Sequence, residues 1–166
     1  MKVPIFDIGF WNGRLAEAPS IGGLQNAIGR GFNFVKIDEV HKKIVEELIK
    51  KEDKILDIGC GYGRTADWFT DEQYTGFDFV PNFIQIAKTN HPNKKFELLD
   101  IREKLPFKDE SFDWGILVSM KGMIIRERGQ EEWDTIEKEV KRVCKKTLVL
   151  EYGNNNVVEA GKYEVI

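Results

Sequence analysis

An acidic residue and three alternating glycines follow a short apolar run near the middle of the chain. The sequence Lys54-Ile-Leu-Asp-Ile-Gly-Cys-Gly-Tyr-Gly63 places Asp57 two residues before Gly59, and Gly61 and Gly63 follow at alternate positions. Glycine lets a backbone turn sharply and lets a ligand approach where a Cβ would clash. A carboxylate at the mouth of such a loop repels a diphosphate and attracts an ammonium or sulfonium group. The spacing therefore predicts a pocket for a nucleotide-like ligand with a cationic end.

A second carboxylate stands at the end of the next predicted strand. Asp78 follows Asp57 by 21 residues and can accept hydrogen bonds from both hydroxyls of a ribose. Phe79 beside it can pack on an adenine ring. Dinucleotide enzymes place an acid similarly, so Asp78 alone does not choose the cofactor. Their fingerprint, however, needs a glycine where this chain has Arg64, which counts against a nicotinamide cofactor.

The segments that must position these residues alternate between strand and helix patterns. Strands are predicted at Lys54–Ile58, Tyr74–Phe77, Lys95–Leu98, Trp114–Val118 and Thr147–Glu151. Helices are predicted at 38–51 with Asp38 as the N-cap, at about 64–69, from Pro81 to about Asn90, and at about 131–144. Strands separated by helices imply parallel pairing. The predicted fold is therefore α/β and doubly wound, with a mainly parallel sheet and helices on both faces.

Four stretches of the chain together resemble the class I, Rossmann-like S-adenosylmethionine-dependent methyltransferases. Leu56–Gly63 matches the glycine loop of that family, and Gly76–Lys88 resembles its second acidic strand end and the helix that follows. Leu98–Ile101 and Leu105–Val118 resemble its third and fourth motifs. The chain departs from the family at Val80, where a Ser or Thr often caps the helix. The resemblance implies S-adenosylmethionine as the cofactor and methyl transfer as the activity.

The resemblance also implies which residues contact the cofactor: Asp57, Gly59, Cys60, Gly61, Gly63, Asp78, Phe79, Asp100, Ile101 and Ser119. The loop and Ser119 would lie at the methionine end, and Asp100 with the backbone N–H of Ile101 would meet the adenine edge. Cys60 reads as a small filler rather than a nucleophile, because no basic partner lies nearby in sequence. Two plainer interpretations stay open: Asp57 and Asp100 as carboxylates that cap a loop or a turn, and Phe79 as a core residue.

Residues 1–37 and 120–130 are predicted to determine the methyl acceptor. Trp11, Arg14 and Arg30 in the first segment and Met120 in the second are the candidate substrate-binding residues. Aromatic and guanidinium groups around a cleft suit a planar or anionic acceptor. The plainer alternative is a glycine-rich covering segment with solvated charges. No catalytic residue is identified, because an activated sulfonium needs a general base only when the acceptor is not already nucleophilic.

The chain length of 166 residues fits one domain. Residues 1–37 are predicted to be a covering and acceptor-site segment, 38–152 the methyltransferase core, and 153–166 a short tail or hairpin. This C-terminus is shorter than that of the family, so the expectation is a trimmed fold or a fragment. An uncovered edge of the fifth strand would either be a hazard, because it can pair with strands of other chains, or form a homodimer interface.

The bulk composition narrows the partners. With 42% hydrophobic and 32% charged residues and a net charge of −3, the chain has no basic excess that favours nucleic acid. No apolar run approaches the roughly 18 residues of a membrane helix. Two cysteines make no disulfide framework, and no zinc-type spacing predicts a metal site. We expect a cytoplasmic protein with a small-molecule acceptor; the alternative is a methyltransferase-like binding or scaffold subunit without catalytic activity.

Overall fold

Five helices and six strands make up the residues that the structure, a computed structural model, describes: 6–16, 34–151 and 161–166. The strands are β1 Ile55–Ile58, β2 Tyr74–Asp78, β3 Lys95–Leu98, β4 Phe112–Val118, β5 Cys144–Leu150 and β6 Tyr163–Val165. The helices are α1 Ile8–Ala16, α2 Phe34–Leu48, α3 Pro81–Asn90, α4 Lys121–Arg128 and α5 Gln130–Val143, with one 3-10 turn at Ala66–Trp68.

The strands form one sheet in the order β3-β2-β1-β4-β5-β6. All neighbouring pairs from β3 to β5 are parallel, and β6 pairs antiparallel with β5. The first strand along the chain, β1, lies inside the sheet. The chain adds β2 and β3 on one side of β1 and then crosses to add β4 and β5 on the other side. This reversal places a crevice between β1 and β4, outside the carboxyl ends of the strands, where ligands bind in open α/β sheets.

Helices cover both faces of the sheet, because alternate strand residues point to opposite faces. On one face, Ile44 of α2 and Ile84 of α3 belong to the apolar cluster that contains Ile55 of β1. On the other face, Trp133 and Val140 of α5 belong to the cluster that contains Leu56 and Ile58. All four residues of β1 are buried, as is typical of a central parallel strand. The predicted doubly wound α/β fold is confirmed.

Helix α5 illustrates how the sequence specifies its elements. Trp133, Ile136, Val140 and Val143 are buried and recur at spacings of three and four residues, which places them on one helix face. The first turn carries acidic residues and the last turn carries basic ones, and both charges complement the helix dipole. At α3, Pro81 occupies the first turn, and Val80 makes no side-chain cap hydrogen bond.

The structure corrects two of the predicted helices and adds two more. Helix α2 begins at Phe34 because Ile37, which is fully buried, extends its apolar stripe toward the N-terminus; the prediction of Asp38 as the N-cap is therefore wrong. The helix predicted at 64–69 is a single 3-10 turn. Helices α1 and α4 were not predicted, since neither has a clean apolar period. Asp7 caps α1 by accepting the Phe10 N–H at 2.8 Å.

Strand β6 covers the edge of β5, the edge that the short C-terminus raised as a possible open one. Tyr163–Val165 pairs with β5, so that Leu148 is opposite Val165. The other half of the predicted hairpin, Val157–Glu159, lies outside the described residues. Within the described part of the chain, no helix is long and apolar enough to cross a bilayer.

The two facing residues of β5 and β6 allow a matched test of the core. Leu148 is fully buried, whereas Val165 is 45% exposed. We expect Leu148→Ala to lower the free energy of unfolding by about 2–5 kcal/mol through lost burial and the cavity left behind, and Val165→Ala to lower it by less than about 1 kcal/mol. Urea unfolding of both variants measures this difference, and equal losses would contradict the buried position of Leu148 and the exposed position of Val165.

Candidate functional site

The carboxyl ends of β2, β1 and β4 bring the predicted cofactor residues to one edge of the sheet. Asp78 is the last residue of β2, and the glycine loop starts directly after β1. Ser119 follows β4. The register sets Ile58 opposite both Phe77 and Leu117, so the three strand ends are adjacent. The structure therefore brings together residues that are 60 positions apart in the sequence.

The glycine loop has backbone dihedrals that favour glycine, but its glycines face different surroundings. Gly59 has φ +70° and Gly61 has φ +55°. A Cβ added to Gly61 would meet no atom within 4 Å, whereas a Cβ added to Gly59 would lie 2.1 Å from the Met120 Sδ. At Gly63, a Cβ would lie 2.9 Å from the His91 ring. Gly61 is thus the loop glycine that faces open space, and the other two are required by packing.

The Asp57 side chain binds Thr65, which follows the glycine loop, and Tyr74 of β2. Its side chain is 2% exposed, and its Oδ2 accepts hydrogen bonds from the hydroxyls of Thr65 and Tyr74, the latter at 2.7 Å. Burial raises the pKa of Asp57, and these two hydrogen bonds and the nearby positive charge of Arg64 oppose the increase only in part. Asp57 therefore connects the turn after the glycine loop to β2, and its predicted contact with a cofactor stays a prediction.

Asp78 holds the middle of the loop. Its Oδ2 accepts the Gly61 N–H at 3.0 Å and its Oδ1 accepts the Val80 N–H at 2.9 Å. Burial raises the pKa of Asp78 to about 6, against the lowering effect of hydrogen bonds from the backbone N–H groups of Val80, Gly61 and Phe79. A carboxylate oxygen can accept more than one hydrogen bond, so Asp78 can still accept hydroxyl groups of a ligand at the open side of Gly61.

Asp100 forms an ion pair with Arg102. Its Oδ1 accepts the backbone N–H of Arg102 at 3.0 Å and the Nε at 2.9 Å, and its Oδ2 accepts the Nη2. Partial burial would raise the pKa of Asp100, but the hydrogen bonds and positive charge of Arg102 outweigh burial and lower it. The neighbouring Ile101 is buried. Asp100 is therefore ionised, and its oxygens already have a cationic partner.

A cleft of about 300 Å³ lies beside this ion pair. Its lining includes Phe6, Phe79, Leu98, Asp100 and Arg102. The rings of Phe6 and Phe79 meet edge to face with centroids 5.9 Å apart, and the Arg102 guanidinium lies 4.6 Å from the Phe6 centroid. The cleft joins the end of β3 to the end of β2 and has aromatic and charged walls, which suits a purine base.

The chain leaves β4 in a strained conformation. Ser119 has φ +58°, which a non-glycine residue rarely adopts, and its N–H donates to the Leu150 carbonyl at 2.7 Å. The Ser119 Oγ is buried and has no hydrogen-bond partner in the residues that the structure describes. The turn directs Met120 across the crevice to Gly59. Strain of this kind clusters at functional sites.

The predicted acceptor residues do not form one group. The Trp11 ring packs 6.0 Å from the Phe83 ring, so α1 lies against the first turn of α3, while Met120 lies over the glycine loop. The Arg14 guanidinium lies 5.4 Å from the Phe10 ring centroid. Arg30 is outside the described residues. Residues 6–16 thus pack beside the start of α3, next to the carboxyl end of β2.

Cys60 is buried inside the loop. Its N–H donates to the Phe77 carbonyl at 2.9 Å, and its Sγ lies 3.6 Å from the Gly61 carbonyl. Burial and the negative charges of Asp57 and Asp78 raise the pKa of the Cys60 thiol. A protonated, inaccessible thiol agrees with the interpretation of Cys60 as a filler.

Sequence reasoning missed the groups that hold the site together. Thr65 and Tyr74 bind Asp57, Arg102 binds Asp100, and Arg64 pairs with Asp38 of α2. Arg102 had a local signal, because a basic residue two positions after an acid can fold back on it. The other contacts cross between elements and have no signal in one sequence. In the ranges described, no group of three or more His, Cys, Asp or Glu residues could hold a metal ion.

Comparison with solved structures identifies related folds. The PH0226 protein from Pyrococcus horikoshii OT3 superposes with a TM-score of 0.62 at 25% identity, covering 74% of this chain and 59% of that protein. An S-adenosylmethionine-dependent methyltransferase from Methanosarcina mazei superposes with a TM-score of 0.57 at 28% identity, covering 68% of this chain and 58% of that protein.

Sequence comparison identifies curated relatives. A demethylmenaquinone methyltransferase from Chlorobaculum tepidum is 31% identical over 99 residues, which are 57% of this chain and 40% of the relative. An 18S rRNA (guanine-N(7))-methyltransferase from Bos taurus is 34% identical over 82 residues, which are 46% of this chain and 29% of the relative. The chain therefore spans less than half the length of these relatives.

The family profile described as "Methyltransferase domain" matches residues 55–147, more than half of the chain. This range runs from the start of β1 into β5, and it contains the glycine loop, Asp78, Asp100 and Ser119. The resemblance to Rossmann-like methyltransferases is thereby confirmed, and the chain belongs to the methyltransferase domain family.

Proposed function

We propose that this protein transfers a methyl group from S-adenosylmethionine to a small-molecule acceptor. S-adenosylmethionine is the cofactor that the family assignment supports. The observation that carries the proposal is the pairing of a buried carboxylate, Asp78, with a loop residue, Gly61, that faces open space. Together they offer hydrogen-bond acceptors for a ribose and room for the backbone to approach a ligand closely.

The residues present fit this cofactor. Asp78 would accept the ribose hydroxyls, and the cleft that Phe79 and Phe6 line would hold the adenine. Asp100 and the backbone N–H of Ile101 would meet the polar edge of the base. The buried Ser119 hydroxyl at the end of β4, which has no hydrogen-bond partner in the described residues, would hydrogen-bond to the methionine end of the cofactor. These assignments are part of the proposal.

The protein's own contribution to methyl transfer is position and exclusion of water. When bound, the cofactor supplies a methyl group that its sulfonium has already activated. The crevice between β1 and β4 would orient that methyl group. Residues 1–37 would cover the base side, which the ring contacts of Phe6 with Phe79 and of Trp11 with Phe83 support. The division into a covering segment, a core at 38–152 and a tail at 153–166 belongs to the same proposal.

A small molecule is the proposed acceptor because the chain carries no excess of positive charge. Two basic groups near the crevice are already paired: Lys121 with Glu164, and Arg102 with Asp100. The relatives include a demethylmenaquinone methyltransferase and an 18S rRNA (guanine-N(7))-methyltransferase, so their names cover both a small molecule and an RNA. No observation in the described residues favours the alternative of a scaffold subunit without activity.

Location and assembly are proposed on composition and surface. Cys60 and Cys144 are free and buried, which supports a cytoplasmic protein. Tyr163 and Val165 are 47% and 45% exposed on the edge strand β6, which supports a homodimer formed through this edge.

Ligand binding tests the cofactor directly. We expect S-adenosylhomocysteine to bind the protein at micromolar concentration and NAD not to bind, because Asp57 disfavours a diphosphate and Arg64 stands where the dinucleotide fingerprint needs a glycine. Asp78→Ala should weaken S-adenosylhomocysteine binding by about 1.5–3 kcal/mol through the loss of charged hydrogen bonds to the ribose. Isothermal calorimetry measures all three values. Tight NAD binding by the wild type, or an unchanged affinity in a folded Asp78→Ala variant, would contradict the proposal.

The pH dependence of binding tests the charge on Asp78. Its pKa of about 6 means that the free protein loses the ionised carboxylate as the pH falls through 6. Since ribose hydroxyls bind the ionised form better, we expect the affinity for S-adenosylhomocysteine to fall by up to about tenfold per pH unit below 6. Asp78→Asn should have a flat profile between pH 5 and 7.5. An equally steep fall in that variant would assign the titration to another group.

Deletion of residues 1–30 tests the covering segment. Loss of Phe6 and Trp11 exposes Phe79 and Phe83, so we expect a folded domain that binds S-adenosylhomocysteine about tenfold more weakly. Calorimetry and a cooperative thermal transition by circular dichroism report affinity and folding separately. Full affinity after the deletion would show that the segment does not cover the cofactor. Loss of the cooperative transition would show that it is core.

A further inference from the structure

A polar group that the proposed function does not use lies at the carboxyl end of β5. Glu151 directly follows β5, and its Oε1 accepts the Gly122 N–H in the first turn of α4 at 2.9 Å. This is the single hydrogen bond of the Glu151 side chain to the described part of the chain. The side chain is half-buried. The second oxygen, Oε2, accepts no hydrogen bond from residues 6–16, 34–151 or 161–166, so toward these residues it keeps its acceptor capacity.

The strand order locates Glu151 relative to the proposed ligand. Along the edge of the sheet, Asp100 follows β3, Asp78 ends β2, the glycine loop follows β1 and Ser119 follows β4. A cofactor with its base at β3 and its ribose at β2 has its reacting end near β4. The next strand end in the same direction is that of β5, about 5 Å further on, and Glu151 stands there.

Two contacts tie this position to the crevice. The Ser119 N–H donates to the Leu150 carbonyl at 2.7 Å, which joins the end of β4 to the residue before Glu151. Met120 then extends from this junction to Gly59. Glu151 is therefore part of the same wall as the strained turn and the buried Ser119 hydroxyl.

We infer that Glu151 faces the methyl-transfer centre and accepts a hydrogen bond from an O–H or N–H group of the acceptor, whose proton it takes during transfer. This inference rests on the proposed function. In the balanced step, the acceptor oxygen or nitrogen forms a bond to the methyl carbon, and the carbon–sulfur bond breaks with its electron pair left on sulfur. The acceptor's proton moves to the Glu151 carboxylate, so the substrate class is a hydroxyl- or amine-bearing molecule.

The charges around Glu151 suit this role. Lys121 and Arg126 of α4 are the positive groups that face it, Glu164 of β6 binds Lys121, and the adjacent turn after β4 contributes the uncharged Ser119. Burial raises the pKa of Glu151, and the Gly122 hydrogen bond and the two positive charges oppose the increase only in part. A carboxylate with a raised pKa is a better proton acceptor than a free one.

The test compares two ligands that differ by one charge. S-adenosylmethionine carries a positive sulfonium where S-adenosylhomocysteine has a neutral thioether, so a carboxylate at the transfer centre favours the first ligand over the second. Calorimetry measures both dissociation constants. In Glu151→Gln, the dissociation constant of S-adenosylmethionine divided by that of S-adenosylhomocysteine should rise about tenfold. The glutamine oxygen keeps the Gly122 hydrogen bond, so the variant should fold. Glu131→Gln, which removes an exposed carboxylate from the first turn of α5, is the control and should leave the ratio within about twofold.

A second measurement uses the wild type alone. In the wild type, this ratio should rise as the pH falls and Glu151 becomes protonated, with a midpoint above 4.5, the usual pKa of Glu. The rise should be smaller in Glu151→Gln. A ratio that is the same in wild type and Glu151→Gln at every pH would overturn the inference while leaving cofactor binding intact. A wild type that binds neither ligand would instead refute the proposed function.

Discussion

The hydrogen bonds that Asp78 accepts from Gly61 and Val80 fix the relation between the glycine loop and α3. A carboxylate that is 7% exposed loses most of its hydration, and burial of a charge is costly unless hydrogen bonds replace the water. The raised pKa shows that the backbone N–H groups replace it only in part. The fold therefore maintains an incompletely satisfied carboxylate at the edge of the sheet, as ligand sites often do.

The second buried carboxylate has a structural task. Asp57 accepts hydrogen bonds from the hydroxyls of Thr65 and Tyr74. It therefore fixes the residues after the glycine loop, while Asp78 fixes the middle of the loop through Gly61. Because the two acids are close, the negative charge of Asp57 disfavours ionisation of Asp78. A ligand that donates hydroxyl groups to Asp78 would replace its lost hydration. A positive charge on the same ligand would offset the repulsion between the two carboxylates. This electrostatic argument, and not the glycine pattern alone, connects the loop to a cationic nucleoside cofactor.

The sequence predicted the central sheet well because its signals are local. Ile55–Ile58 is a buried apolar run, and α5 has an apolar stripe with complementary end charges. Helix α1 gave no such signal, since Gly9 and Gly13 lower its intrinsic helix propensity; the contact of Trp11 with Phe83 and the Asp7 cap hold it instead. Tertiary contacts of this kind override local preference.

The candidate site was predictable in outline and not in its connections. The identity and spacing of Asp57, Asp78 and Asp100 predicted acids near three strand ends. In the structure Asp57 is the third of the four residues of β1, Asp78 ends β2, and Asp100 follows the end of β3 by two residues. Their partners are set by packing: Tyr74 reaches Asp57 across the strand pair, and Met120 reaches Gly59 across the crevice. Glu151 had no motif, because its place at the site follows from strand order alone.

A crystal structure of the protein with S-adenosylhomocysteine tests the central claim most directly. The account predicts that the ligand lies along the carboxyl ends of β3, β2, β1 and β4, with both ribose hydroxyls within hydrogen-bond distance of Asp78 and the ligand backbone passing over Gly61. A ligand bound away from this edge, or bound there with no contact to Asp78, would contradict it.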